Sequence, residues 1–138
     1  MTVTALTPAG WEAPFPGFSQ GTIVDIGTHR LVSVSGQIAV RDGELVGAGD
    51  MAAQAEVCYE RIAAIVEAAG GTMANLVETR TYLLDIGRLG EIAAIRHRHL
   101  ADPPPTSTAV EISGLAVPGA LVEIAAVAVI ELGAPAEG

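Results

Sequence analysis

Apolar and polar positions alternate along some stretches of this chain and recur every three to four residues along others. Residues 1–16 carry Pro8, Gly10, Pro14 and Pro16 and read as an extended lead-in. Ile23-Val24-Asp25-Ile26 reads as a strand, and Gly27-Thr28-His29-Arg30 turns it back into Leu31-Val32-Ser33-Val34-Ser35. Simple alternation then places Val32, Val34 and Ile38 on one face, with Ser33, Ser35 and Gln37 on the other. A second hairpin pairs Ile38-Ala39-Val40 with Glu44-Leu45-Val46, and its Asp42-Gly43 turn suits positive φ. Asp50 caps a helix through Ala69, in which Ala55, Cys58, Ile62, Ile65, Val66 and Ala69 form an apolar stripe. Gly70-Gly71 ends that helix. Val77 to Leu84 is rich in β-branched residues and predicts a strand. Leu89, Ile92, Ile95 and His99 share one side of a second helix, which Pro103-Pro104-Pro105 prevents from continuing. Two strands close the chain, Thr106 to Ile112 and Ala120 to Leu132.

This order predicts an α+β fold, with two helices on one face of a mixed sheet. The last strand poses a question of cover. Leu121, Ala125, Val127 and Val129 alternate with Val122, Ile124, Ala126, Ala128 and Ile130, so both of its faces are apolar. Two helices cover one face, and another copy of the chain is the expected cover for the other.

With 138 residues, the chain has the size of one domain with a real core. Sixteen acidic residues against seven arginines, with no lysine, give a formal charge of −9. Nucleic acid and anionic membrane surfaces are bound through clustered positive charge, so the balance argues against both. The missing lysine excludes a Schiff-base mechanism. Cys58 has no partner for an internal disulfide. The longest apolar stretch, Ala116 to Ile130, is broken by Pro118 and Glu123 and is too short to span a membrane. The first basic residue is Arg30, so a charged leader is not evident and a cytoplasmic protein is expected.

Several motifs have plain structural explanations. Gly17-Phe18-Ser19-Gln20-Gly21 matches the nucleophile-elbow pattern, but prolines precede it and a strand follows where a helix is required. His97 and His99 project roughly 200° apart around a helix and cannot chelate one metal. Cys58 falls in the core stripe. Glu123 is harder to explain. Inside Leu121-Val122-Glu123-Ile124-Ala125, a carboxylate serves either as a general base or as an acceptor at a sheet end or subunit rim. Glu111 poses the same question more weakly. Arg80, between Thr79 and Thr81, either meets an anionic ligand or pairs with an acidic neighbour.

Four segments taken together resemble the reactive intermediate deaminase family, RidA or YjgF. They are Gly17-Phe18-Ser19-Gln20, Val34-Ser35-Gly36-Gln37-Ile38, the run from Pro103 to Ile112, and Leu121 to Ala128. The resemblance covers residues 17–132 as one domain, with 133–138 as a tail. It implies a chorismate-mutase-like unit assembling as a homotrimeric barrel, with small-molecule clefts between subunits and no cofactor. In deaminase members, water attacks the C=N carbon of an imine or enamine, and a glutamate in the last strand positions that water. By resemblance Glu123 takes that catalytic position, and Phe18, Ser35, Gly36, Ser107, Ala109 and Arg80 line the ligand site. The chain departs from the pattern at two places. Phe18 replaces a cleft tyrosine, and Ser107 replaces the arginine that holds the substrate carboxylate. A serine offers at most one neutral hydrogen bond where an arginine offers a bidentate, charged pair. The resemblance therefore implies weak or absent activity on small 2-imino acids. Its alternative is a trimeric small-molecule-binding protein without chemistry, and RNA cleavage gains no support from so acidic a chain.

Overall fold

A computed structural model describes residues 1–133. Eight strands and two helices follow in the order β1 (Thr4–Leu6), β2 (Gly21–Ile26), β3 (His29–Ile38), β4 (Val40–Arg41), β5 (Glu44–Leu45), α1 (Met51–Ala68), β6 (Leu76–Leu83), α2 (Leu89–His99), β7 (Thr106–Glu111) and β8 (Val122–Glu131). Six strands form one mixed sheet in the order β1-β2-β3-β8-β6-β7, and β4 and β5 form a separate small hairpin. Within the large sheet β6 and β7 are parallel, and the other neighbours are antiparallel. The parallel pair is joined by α2, the crossover that a parallel connection requires.

Local chemistry accounts for the helix ends. The Asp50 carboxylate accepts from the Ala53 amide at 3.0 Å and caps α1. Gly70, at φ 94°, takes the left-handed conformation that ends it. One face of α1 carries Ala55, Cys58, Tyr59, Ile62, Ile65 and Val66, all fully buried. They pack on Val32 and Val34 of β3 and on Val122, Ile124, Ala126, Ala128 and Ile130 of β8. Cys58 lies in this core, where burial pushes its thiol up to about 12, so it is protonated at neutral pH.

The lead-in is more integrated than its prolines suggest. Residues Thr4–Leu6 add an edge strand to β2, and the Trp11 ring lies 4.0 Å from the Arg61 guanidinium carbon. Short local sequence did not reveal this, because the strand is only three residues long and its partner lies seventeen residues away.

The second difference lies in β3, which the alternation pattern runs straight through. Its register against β8 shifts between Val34 and Gln37, where Ser35 and Gly36 form a bulge. One extra residue reverses the faces beyond it. Gln37, not Ile38, therefore faces the helices, at 2% exposure. Its amide donates to Gln20 Oε1 (3.0 Å) and to the Ser35 carbonyl (2.9 Å), and its Oε1 accepts from Arg61 Nε (3.0 Å). Arg61 also donates to the Val40 carbonyl at 2.8 Å. This network ties the bulge, the 18–20 loop and α1 into one unit. Gln37→Leu is expected to cost about 1–3 kcal/mol, because Gln20 and Arg61 both lose a buried partner. Urea unfolding of the two chains measures it, and equal midpoints would show that the bulge holds without the network.

Candidate functional site

Side chains on the sheet face away from the helices can be read from the strand registers. One row runs Val110, Tyr82, Glu123, Ile38, and the next runs Thr108, Arg80, Ala125. A third contains Glu78, Val127 and Ser33. This face is largely apolar at its centre, and it continues over Leu31, Val24 and Val129. Ile26 and Val110 on it are 57% and 40% exposed.

Glu123 stands in this face, and its side chain lies directly over Gly36. A Cβ at position 36 would come within 2.6 Å of the Glu123 carboxyl carbon. A side chain at position 36 would therefore displace the Glu123 carboxylate from this seat. The bulge turns the backbone toward the carboxylate, and Ser35 holds the bulge in place. The Ser35 hydroxyl donates to the Ser19 carbonyl at 2.6 Å, and its amide donates to the Gln20 carbonyl at 2.9 Å. Ser19 thus contributes a carbonyl to a structural bond, with a strand following it. Among the described residues no cation pairs with Glu123. Partial burial without a counter-charge raises its pKa above the ordinary carboxylate value, which makes it a better proton acceptor near neutrality.

The structure thus brings Glu123, Gly36 and Ser35 together. Arg80 lies on the same face but pairs with Glu78 at 3.3 Å, the acidic-neighbour alternative for this residue. Glu111 accepts from the Ile86 amide at 3.0 Å and fastens the turn before α2. Ser107 and Ala109 do not join Glu123. In the parallel register they sit beside Thr79 and Thr81, both buried under the helices, so their side chains point to the opposite sheet face. Within one chain, Ser107 and Glu123 share no cleft.

Phe18, 41% exposed, lines a cavity of about 690 Å³ together with Trp11, Phe15, Gln20, Arg41 and Arg61. Gln20, Gln37 and Arg61 are supporting residues that the sequence reading passed over. The signal was there in Gln37, a glutamine close to a glycine in an otherwise regular strand, a pattern that marks bulges. His99 stacks on Tyr59 with ring centres 5.4 Å apart and meets Glu56 at 2.9 Å, while His97 faces solvent.

Comparison with known proteins agrees with this architecture. RidA from the Antarctic bacterium Psychrobacter sp. superposes with a TM-score of 0.79 at 29% identity, over 92% of this chain and 99% of that one. Rv2704 from Mycobacterium tuberculosis, described as a member of the YjgF/YER057c/UK114 family, gives a TM-score of 0.74 at 32% identity, over 94% and 100% of the two chains. The YjgF gene product of E. coli gives 0.75 at 29% identity, over 91% and 98%. The family model described as endoribonuclease L-PSP matches residues 12–130. With a fold, a chain length and a sequence profile that all coincide, the chain belongs to the endoribonuclease L-PSP family, the group that includes the YjgF and RidA proteins.

Proposed function

We propose that this protein acts on a small imine, enamine or related metabolite in clefts between the subunits of a homotrimer, with Glu123 as the general base. The observation that carries the reading is the Glu123 carboxylate, seated over Gly36 on an uncovered face and without a cation. A fold that needed this carboxylate only for stability would give it a partner. A second copy on the apolar face would remove Val24, Leu31, Val127 and Val129 from water and turn the Glu123 row into the wall of a cleft. The neighbouring subunit could then present its β7 edge, with Ser107 and Ala109, across from Glu123.

The chemistry follows from those groups. Glu123 accepts a proton from a water molecule as its oxygen bonds to the C=N carbon, and the nitrogen takes up a proton. The resulting carbinolamine collapses to a carbonyl and expels ammonia. Ser107 supplies no charge to hold a carboxylate beside the reacting carbon. Turnover of small 2-imino acids is therefore expected to be slow.

Release of ammonia and keto acid from an enzymatically generated 2-imino acid tests the reading. Slow release that disappears in Glu123→Gln supports it. Release that survives in the variant overturns the role of Glu123. No release across a panel of imines and enamines, from a protein that still binds their keto-acid products, favours the binding protein instead.

A further inference from the structure

The reaction proposed above needs two groups that move protons, and Glu123 is one of them. As water adds to the C=N carbon, Glu123 takes a proton and the nitrogen must gain one. A donor for that nitrogen has to stand on the sheet face turned away from the helices, close to the carboxylate. Ser107 points to the opposite face, and Phe18 carries no hydroxyl. Arg80 is on the right face but engages Glu78 at 3.3 Å.

The strand register supplies another candidate. Tyr82 of β6 is the direct cross-strand partner of Glu123 on β8. Side chains paired in this way share one face, with Cβ atoms about 4.5–5.5 Å apart. Along β6 the buried residues Thr79, Thr81 and Leu83 turn to the helices, and Arg80 and Tyr82 turn away from them. The other cross-strand neighbour of Glu123 is Ile38 of β3, which has no proton to give. The Glu123 carboxylate leans toward β3, over Gly36, and Tyr82 stands on the β6 side. Tyr82 is half-buried. Among the described residues its hydroxyl makes no hydrogen bond, to Glu123 or to any other group. A carboxylate and a phenol thus flank one strand, and the fold spends neither.

We propose that Tyr82 is the general acid that works beside Glu123. The proposal rests on the imine reading above and adds the source of the nitrogen's proton. The water oxygen bonds to the C=N carbon, and Glu123 takes the water proton. The C=N π pair moves to nitrogen, which takes the Tyr82 phenol proton. This leaves a carbinolamine, a protonated Glu123 and a phenolate. In the second half, the phenolate takes the carbinolamine hydroxyl proton as the C=O bond forms. The C–N bonding pair departs with nitrogen, which takes the proton from Glu123 and leaves as ammonia. Both side chains end as they began.

Imine turnover by Tyr82→Phe tests the assignment. Phenylalanine keeps the ring and its packing, and the lost oxygen holds nothing in the fold. The kcat is expected to fall about 100-fold, with KM changed less than about twofold. The unfolding midpoint and the assembly size should match the parent chain. A second measurement needs no turnover. The chain has two tyrosines, and Tyr59 is fully buried. With tyrosine isotope-labelled at the ring carbon that bears the hydroxyl, NMR titration of the full-length protein with pyruvate, a small 2-keto acid of the product class, should move the Tyr82 resonance and leave Tyr59 in place. A kcat equal to the parent's, or a Tyr82 resonance that pyruvate does not move, overturns the proposal. So does a lower unfolding midpoint in Tyr82→Phe, which would make the hydroxyl a structural group. The two readings fail separately. Turnover that needs Glu123 but ignores Tyr82→Phe sinks the acid alone. Turnover that needs Tyr82 but survives Glu123→Gln sinks the base alone, and a parent chain that turns over no imine sinks both.

Discussion

Val127→Asp is expected to leave the chain folded and monomeric. Val127 stands in the middle of the face turned away from the helices, between Ser33 of β3 and Glu78 of β6. In an isolated chain a carboxylate here is hydrated, so the helix-side core is untouched. In an assembly the same carboxylate is buried beside Glu78, the one acid there that Arg80 already engages, at 3.3 Å. An uncompensated buried charge costs about 3–5 kcal/mol. That corresponds to a subunit dissociation constant about 100- to 5000-fold higher. Sedimentation equilibrium of the parent chain and the variant measures the difference. A parent chain that is itself monomeric, or a variant that remains trimeric, would rule out this face as the interface and with it the cleft between subunits.

Glu123→Gln is expected to move activity and stability in opposite directions. Glutamine keeps the shape over Gly36 but accepts no proton, so imine turnover should fall about 100- to 10000-fold. Stability should change with pH in a defined sense. Burial raises the Glu123 pKa in the folded chain, so the folded state holds that proton more tightly than the unfolded one. Well below the ordinary carboxylate range both states are protonated and Glu123 imposes no penalty. As pH rises past that range the unfolded chain releases its proton first, and stability falls until the folded carboxyl has also ionised. The penalty is therefore in full force once the folded carboxyl has ionised. Glu123→Gln removes it, and should raise the unfolding midpoint at about pH 8 while leaving it unchanged at about pH 3. A variant destabilised at neutral pH would show that the carboxylate is a structural acceptor. The two measurements together separate a base held at some cost to the fold from a residue the fold depends on.

Much of this molecule could be read from local pattern. The stripe Ala55, Cys58, Ile62, Ile65 and Val66 identified α1 and its buried face, and all five residues are fully buried. Asp50 and Gly70 marked its ends. The apolar alternation on both sides of β8 pointed to a strand with two covered faces. Helix and strand periods depend on neighbours a few residues apart, so these features are carried by the sequence alone. Glu123 was also conspicuous there, because a charge in an apolar strand is costly wherever the strand lies.

Other features arise only when distant segments meet. The bulge at Ser35 and Gly36 reversed the faces of β3 beyond it, and the glycine in the strand marks where a bulge can form without fixing that one does. It is defined by pairing with β8, about ninety residues later in the chain, and by the Gln37 network to Gln20 and Arg61. The separation of Ser107 from Glu123 is likewise a matter of tertiary arrangement. The sequence placed both residues in strands, but which face each side chain takes depends on the parallel register of β7 on β6 and the antiparallel register of β8 on the other side. Local periodicity is set by the backbone geometry of consecutive residues, and so composition and spacing determine it. Which side chains converge on a site is set by packing between segments far apart in the chain, and only the folded structure decides it.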